Sequence, residues 1–273
     1  MWYFSNFLYG IMLTILVSNI LIDYWHLVFL FFLISIIYSS VGFGGGSSYL
    51  AILSLTEIIF IQVRSTALLC NIIVVATNLI ILHKIGKINW IKIFPLVIFS
   101  VPMAFIGGLL RINKTFFLIT LSTVLVITSI IMWRSYKIVT DTNSKKTSAL
   151  KSTLYGGGIG FLSGLVGIGG GIILAPFLHI IRWDTSKKIA STCSFFILVN
   201  SIGGLIGQTY NPKFQIDWFL SLSLMTTVFV GSIIGNRLSN KLLNPLKLKK
   251  ATAILIACIG FKILFNTIFK NLI

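Results

Sequence analysis

Two stretches of this sequence place glycine where a helix would otherwise continue: VGFGGGSSYLAIL at Val41–Leu53 and GLVGIGGGIILAPFL at Gly164–Leu178. Each contains G-x-G-G-G. A helix that restarts at such a run presents free backbone N–H groups and the positive end of its dipole, which together hold an anion without any charged side chain. Glycine also lets a ligand reach the backbone and permits the positive φ of a tight turn. Gly44, Gly45, Gly46, Gly169, Gly170 and Gly171 are therefore candidate substrate contacts. Ser47 and Ser48 add hydroxyl donors to the first run, where the second has only Ile172 and Ile173. Close helix packing is the competing role for small residues in membranes. The repetition of the run with similar downstream spacing favours a shared special geometry. A nucleotide loop does not fit, because no strand signal precedes GIGGGI and no Walker lysine follows it.

The elements around these runs are those of a membrane protein. Of 273 residues 56% are hydrophobic and only 10% charged, against about 25% charged in an ordinary soluble domain, and the mean hydropathy is +1.00. Stretches near the ~20 residues needed to cross a bilayer run at Phe7–Ile22, Ser65–Leu82, Trp90–Leu110, Thr115–Trp133, Lys188–Gly207, Ile216–Asn236 and Ala251–Phe269, which predicts seven crossings. The first lacks a basic flank and a small-residue cleavage site, so it reads as a retained span. Leu27–Ile61 and Ser152–Ile181 are each cut by their glycines into pieces of about 15 residues, too short to cross. The net charge of +17 comes from basic residues scattered through short loops, not gathered on one domain, which argues against a nucleic-acid partner. Cys70, Cys193 and Cys258 fall inside spans, with no disulfide framework or metal-ligand spacing, and nothing points to a cofactor.

The glycine runs anchor an internal repeat. Ser65-Thr66 follows the first run as Ser191-Thr192 follows the second; Ile88-Asn89-Trp90 echoes Ile216-Asp217-Trp218, and GGLLR ending at Arg111 echoes IIGNR ending at Arg237. Cytoplasmic loops carry the excess of Lys and Arg. If each glycine-broken segment enters and leaves on one side, sixteen of the 22 basic residues share a face, Arg64, Arg111, Lys114, Lys213 and Lys270 share the other, and Lys262 lies within a span. Full crossing of the broken segments would erase that asymmetry. The predicted fold is thus an all-α polytopic membrane protein, an inverted repeat of two units. Each unit is a glycine-broken re-entrant helical hairpin plus three transmembrane helices, a plan common among secondary transporters. The boundaries are an N-terminal helix over 1–26, repeats over 27–134 and 153–273, and a cytoplasmic linker over 135–152. Unwound backbone at mid-membrane depth is tolerated only where it is buried in protein or lines a wet cavity.

Among side chains, Thr66 and Thr192 occupy matching positions and can reach a midplane anion, or simply bond the preceding turn. Asn71, Asn78 and Asn200 line the cavity or bridge helices, with bridging favoured. Glu57 is an intramembrane acid, a functional candidate, but pairing with Arg64 would satisfy it. His26, His83 and His179 sit at span ends, where interfacial placement is the expected role. No catalytic triad or carboxylate pair emerges, so the sequence does not suggest an enzyme. Export of a monoanion from a negative-inside cell gains ~2.3 kcal/mol per 100 mV and needs no coupling acid.

On these residues the chain resembles the sulfite exporter TauE/SafE family of membrane transporters. The resemblance rests on VGFGGGSSYLAIL, on GLVGIGGGIILAPFL with Pro176, on the polar starts RSTALL (Arg64–Leu69) and ASTCSF (Ala190–Phe196), and on INW and IDW, and it extends over about Leu27–Phe269. It departs from the family pattern in the first repeat, where Tyr49 and Leu50 stand in place of a proline. The resemblance implies a multi-pass protein of a bacterial inner membrane that moves sulfite, sulfonates or related sulfur-containing or organic anions. The alternatives are a carrier or channel for another small anion and a membrane-embedded enzyme. The expected partners are a small anionic substrate and the lipid bilayer; the oligomeric state, a homo-oligomer included, stays open.

Overall fold

The computed structural model describes residues 24–56, 58–84, 88–134, 149–181, 183–239 and 245–269. The expected N-terminal span Phe7–Ile22, Glu57 and most of the 135–152 linker lie outside the described residues. Helices follow one another as α1 (Trp25–Val41), α2 (Gly46–Leu53), α3 (Phe60–Lys84), α4 (Trp90–Leu109), α5 (Lys114–Arg134), α6 (Ala149–Val166), α7 (Gly171–Ile180), α8 (Ser186–Thr209), α9 (Trp218–Ser239) and α10 (Pro245–Phe269). No strand occurs among the described residues. Five of them, α3, α4, α5, α8 and α9, are long and apolar enough to cross a membrane. α2 and α7, at 8 and 10 residues, reach only about 12–15 Å at 1.5 Å per residue. Large apolar side chains such as Ile91, Phe94, Phe116 and Phe265 are exposed, which water would penalise and lipid accepts. The protein is a multi-pass membrane protein.

Two helix starts differ from the expected ones. The apolar stretch read as continuing to Ile61 closes at Leu53, where the Ser54 hydroxyl donates to the Leu50 carbonyl and the Thr56 hydroxyl to the Leu53 carbonyl, each at 2.6 Å. These bonds satisfy helix-end carbonyls, and Phe60 then opens α3. At the other end, α10 begins at Pro245 instead of Ala251. Proline has no N–H to lose and a fixed φ suited to a first helical position, so Lys247, Lys249 and Lys250 ride on the first turns of the last helix.

Small residues set the packing. Gly156, Gly160 and Gly164 of α6 lie against the backbone of Leu96, Ser100 and Ala104 of α4, advancing four residues at a time on both helices, so the two run parallel. α8 joins them in the same direction, with Asn200 bonded to Ser100 and Gly207 against Phe105. On the other side Gly231 and Gly235 of α9 lie against Phe32 and Ile36 of α1, and Ser35 donates to the Val228 carbonyl at 2.6 Å. Thus α4 is cemented to α6, α9 to α1, α5 to α10, while α3 and α8 meet between them. Without a hydrophobic driving force between helices in lipid, such close backbone approach is what holds them.

Just beyond α7, Trp183 joins a buried cluster with Ile93 and Leu96 of α4. Lys92 donates to Asp184 at 2.9 Å and to the Trp183 carbonyl at 3.3 Å, and Lys188 stands 3.6 Å from the same carboxylate. Burial pushes the Asp184 carboxyl up, but the Lys92 hydrogen bond, the Thr185 N–H and the charges of Lys92 and Lys188 outweigh it and hold it below its ordinary value.

Two outcomes follow from these contacts. Gly164→Val, which drives a branched side chain into the Ala104 backbone, should lower the melting temperature in detergent, at a cost of about 2 kcal/mol or more. Gly158→Ala, whose added methyl meets nothing within 4 Å, should leave it unchanged. Because the Asp184 carboxyl is depressed, its contribution is complete above the ordinary aspartate value of about 3.9 and is lost as pH falls through the lower folded value. The melting difference between wild type and Asp184→Asn should therefore stay flat from about pH 8 to about pH 5 and shrink only in stronger acid.

Candidate functional site: the glycine junction

Each glycine run begins by ending a helix. Gly42 and Gly167, both at φ +81, close α1 and α6 in the left-handed conformation that glycine adopts at a helix C-terminus. The Phe43 N–H returns to the Tyr38 carbonyl at 2.9 Å, and the Ile168 N–H to the Ser163 carbonyl at 3.2 Å. From there the runs diverge. The second needs two more left-handed residues, Gly169 at φ +82 and Gly170 at φ +78, whereas the first needs none. Gly44, Gly45 and Gly46 are demanded by contact instead: a methyl on Gly45 would sit 2.6 Å from the Tyr49 ring, and one on Gly46 would sit 2.7 Å from both Asn71 and the Ile168 carbonyl.

That last contact shows that the two runs meet, and Asn71 of α3 is what joins them. Its Oδ1 accepts from the Gly46 N–H at 3.1 Å, while its Nδ2 donates to the Ile168 carbonyl and to the Ser201 hydroxyl, each at 3.2 Å. Asn78, seven residues on and hence on the same face of α3, donates to the Phe43 carbonyl at 3.0 Å and accepts from Asn236 of α9 at 2.7 Å. Phe43 and Ile168 are the x of the two G-x-G-G-G runs, so one helix supplies the amide for both exposed carbonyls. Ser194 of α8 donates to the Gly42 carbonyl at 2.5 Å, and the Arg64 guanidinium to the Gly164 carbonyl at 3.0 Å. Asn71, Asn78 and Ser194 are fully buried, and in such surroundings an unpaired carbonyl costs several kcal/mol.

The expected site residues divide into two groups. The six glycines gather at the junction, and a methyl on any of them would come within 3 Å of a neighbour. Ser47 is buried beside them with a hydroxyl that lacks a partner, while Ser48 bonds the Tyr38 hydroxyl at 2.8 Å. Thr66 and Thr192 turn elsewhere: Thr66 bonds Ser221 of α9 at 2.9 Å, and Thr192 bonds back to the Lys188 carbonyl at 2.8 Å. The three asparagines bridge helices as expected. Ser201 and Gln208 join these polar residues without having been expected there: Gln208 lies one residue past the apolar stretch that ends at Gly207, and the helix in fact runs on to Thr209. Sequence reasoning also expected extra donors on the first run. In the structure that helix start is already capped by Asn71, and no side chain among the described residues does the same for α7, which starts after Gly170.

A bundle of apolar helices whose unwound segments are buried at its centre is the build of a membrane transporter. The chain belongs to the sulfite exporter TauE/SafE family, whose pattern matches residues 27–263. It is 30% identical over 242 residues to the "Probable membrane transporter protein y4hK" of Sinorhizobium fredii, across 86% of this chain and 96% of that protein. It is 27% identical to a "Probable membrane transporter protein" of Haemophilus influenzae, across 80% and 87% of the two chains. No solved structure matches it.

Asn71→Ala would leave the Gly46 N–H and the Ile168 carbonyl without partners, at a cost of about 1–3 kcal/mol for each group left unsatisfied. Its melting temperature should fall well below that of Thr192→Ala, which removes only a bond within one helix.

Proposed function

We propose that this protein carries small sulfur-containing or organic anions, of the sulfite and sulfonate type, out across the bacterial inner membrane, and that it does so without converting them. The observation that carries this reading is the convergence of the two glycine runs on the buried Asn71, in a chain of a transporter family. An uncapped helix start at Gly170–Gly171 offers N–H groups and the positive dipole end to an anion, and on this reading Gly44–Gly46, Ser47 and Ser48 form the other side of the cradle. In the conformation described the glycines are packed tight, so the cradle is shut and opens as the two units move.

The same reading takes each broken segment as a re-entrant hairpin within an inverted repeat of 27–134 and 153–273. The parallel course of α4 and α6, with Trp183 beyond α7 beside the first turns of α4, supports a return of the chain to the side from which α6 set out. The pairing of α4 with α6 and of α9 with α1 supports the repeat, because exchanging the two units turns one pair into the other. With the basic-rich face cytoplasmic, outward movement of a monoanion gains ~2.3 kcal/mol per 100 mV.

The test is flux of sulfite and methanesulfonate in proteoliposomes under an imposed potential. Wild-type protein should move at least one of them at a rate that rises with the potential, and Gly170→Ala, strained at φ +78 and 2.9 Å from Phe196, should slow it. Folded protein that moves neither, or that turns a substrate over in detergent, would sink the proposal.

A further inference from the structure

Away from the glycine junction, a cavity of about 340 Å³ opens between the start of α3, the end of α4 and the end of α8. Arg64, Arg111, Gln208 and Lys213 line it, together with Phe60 and Ile61. Arg111 and Lys213 are exposed at its rim. Arg64 and Gln208 are only 5% and 4% exposed, yet the Arg64 Nε and the Gln208 Nε2 have no hydrogen-bond partner. The Gln208 Oε1 lies 3.2 Å from the Ser65 hydroxyl, whose one proton it shares with the Ile61 carbonyl.

No described carboxylate answers these cations. Asp184 is held by Lys92 and Lys188, and Asp217 caps the N–H groups of Phe219 and Leu220. Among the described residues the buried Arg64 guanidinium meets only the Gly164 carbonyl, and a charge so placed is costly to keep out of water. The equivalent place in the other unit shows that the fold does not require it. The offset that aligns Ser65-Thr66 with Ser191-Thr192 sets Arg64 against Ala190 and Gln208 against Leu82. The structure agrees with that register: Gly167 lies beside Arg64, and Gly42 lies beside Ala190 and Leu82. One end of the protein thus carries a cation and a carboxamide where the other carries a methyl and an isobutyl group.

We infer that this cavity is a binding site for a small oxyanion, held by the Arg64 Nε–H and the Gln208 amide N–H. A guanidinium edge matches the paired oxygens of a sulfite, sulfonate or sulfate group, and Arg111 and Lys213 raise the local anion concentration at the rim. The site opens on the face poor in Lys and Arg. That this face is the outer one rests on the transport reading above, where it makes the cavity an outward vestibule; binding itself does not depend on that reading.

The experiment is titration calorimetry of the full chain in detergent at low ionic strength, with sulfite and sulfate as probes. The variants are Gln208→Leu and Arg64→Ala, which copy the opposite end, and the surface pair Arg111→Gln with Lys213→Gln. Wild type should bind, with affinity falling roughly tenfold or more in each of the first two, the loss expected for a hydrogen bond to a charged group. The surface pair, which leaves the interior untouched, should weaken binding by a smaller factor that disappears at high salt. Competition by phosphatidylglycerol would assign the same donors to a lipid phosphate; its absence would leave the free anion as the ligand. Equal binding by wild type and Gln208→Leu, or none by wild type, would overturn the inference. Flux in proteoliposomes separates the two readings: flux with unaltered binding in the variants removes only the vestibule, and neither flux nor binding removes both.

Discussion

A backbone group inside a bilayer must find its hydrogen bond within the protein, and the structure is organised around meeting that demand at two broken segments. Helices meet it internally. The glycine runs cannot, so their exposed groups are met from outside, by Asn71 and Asn78 of α3, Ser194 of α8 and Arg64. This explains why α3 and α8 meet at the centre of the bundle and why their buried faces are so polar for transmembrane helices. Asn71 is bound from both runs at once, so neither run can shift without breaking a bond that the other shares.

Much of this was legible in the chain. The glycine runs, the breaks they impose and most spans could be read because hydrophobic length and glycine are strong local signals. The helix starts at Phe60 and Pro245 were missed because an apolar stretch does not say where one helix stops and the next begins; hydroxyls on Ser54 and Thr56, and a proline, decide it. The dual bonding of Asn71 was out of reach for a different reason. An amide in a span announces that it needs partners, but which of several carbonyls it meets depends on how α3 rotates against α6 and α8, and no local pattern encodes that angle. Gln208 sits one residue past the apolar stretch ending at Gly207, so hydrophobic length did not group it with Asn71.

The two halves that carry the glycine runs differ in chemistry. The positions of α8 that match Asn71 and Asn78 are Ile197 and Gly204, so one helix alone supplies amides to both breaks. The positions that match Arg64 and Gln208 are apolar. Positions that the two glycine runs bring into register therefore carry unlike side chains in the two halves of the chain.

The exchange of partners between the units also governs how the protein can be made. α1 offers its small-residue face to α9, and the bond from Ser35 to the Val228 carbonyl spans 193 positions of sequence. During synthesis α1 leaves the ribosome long before α9 exists, and α4 likewise precedes the glycines of α6. The early helices must wait in the lipid with their contact faces uncovered, and final closure belongs to the last third of the chain. Assembly is thus a late, concerted event, and a chain interrupted after its first unit would be left with helices shaped for neighbours that never arrive.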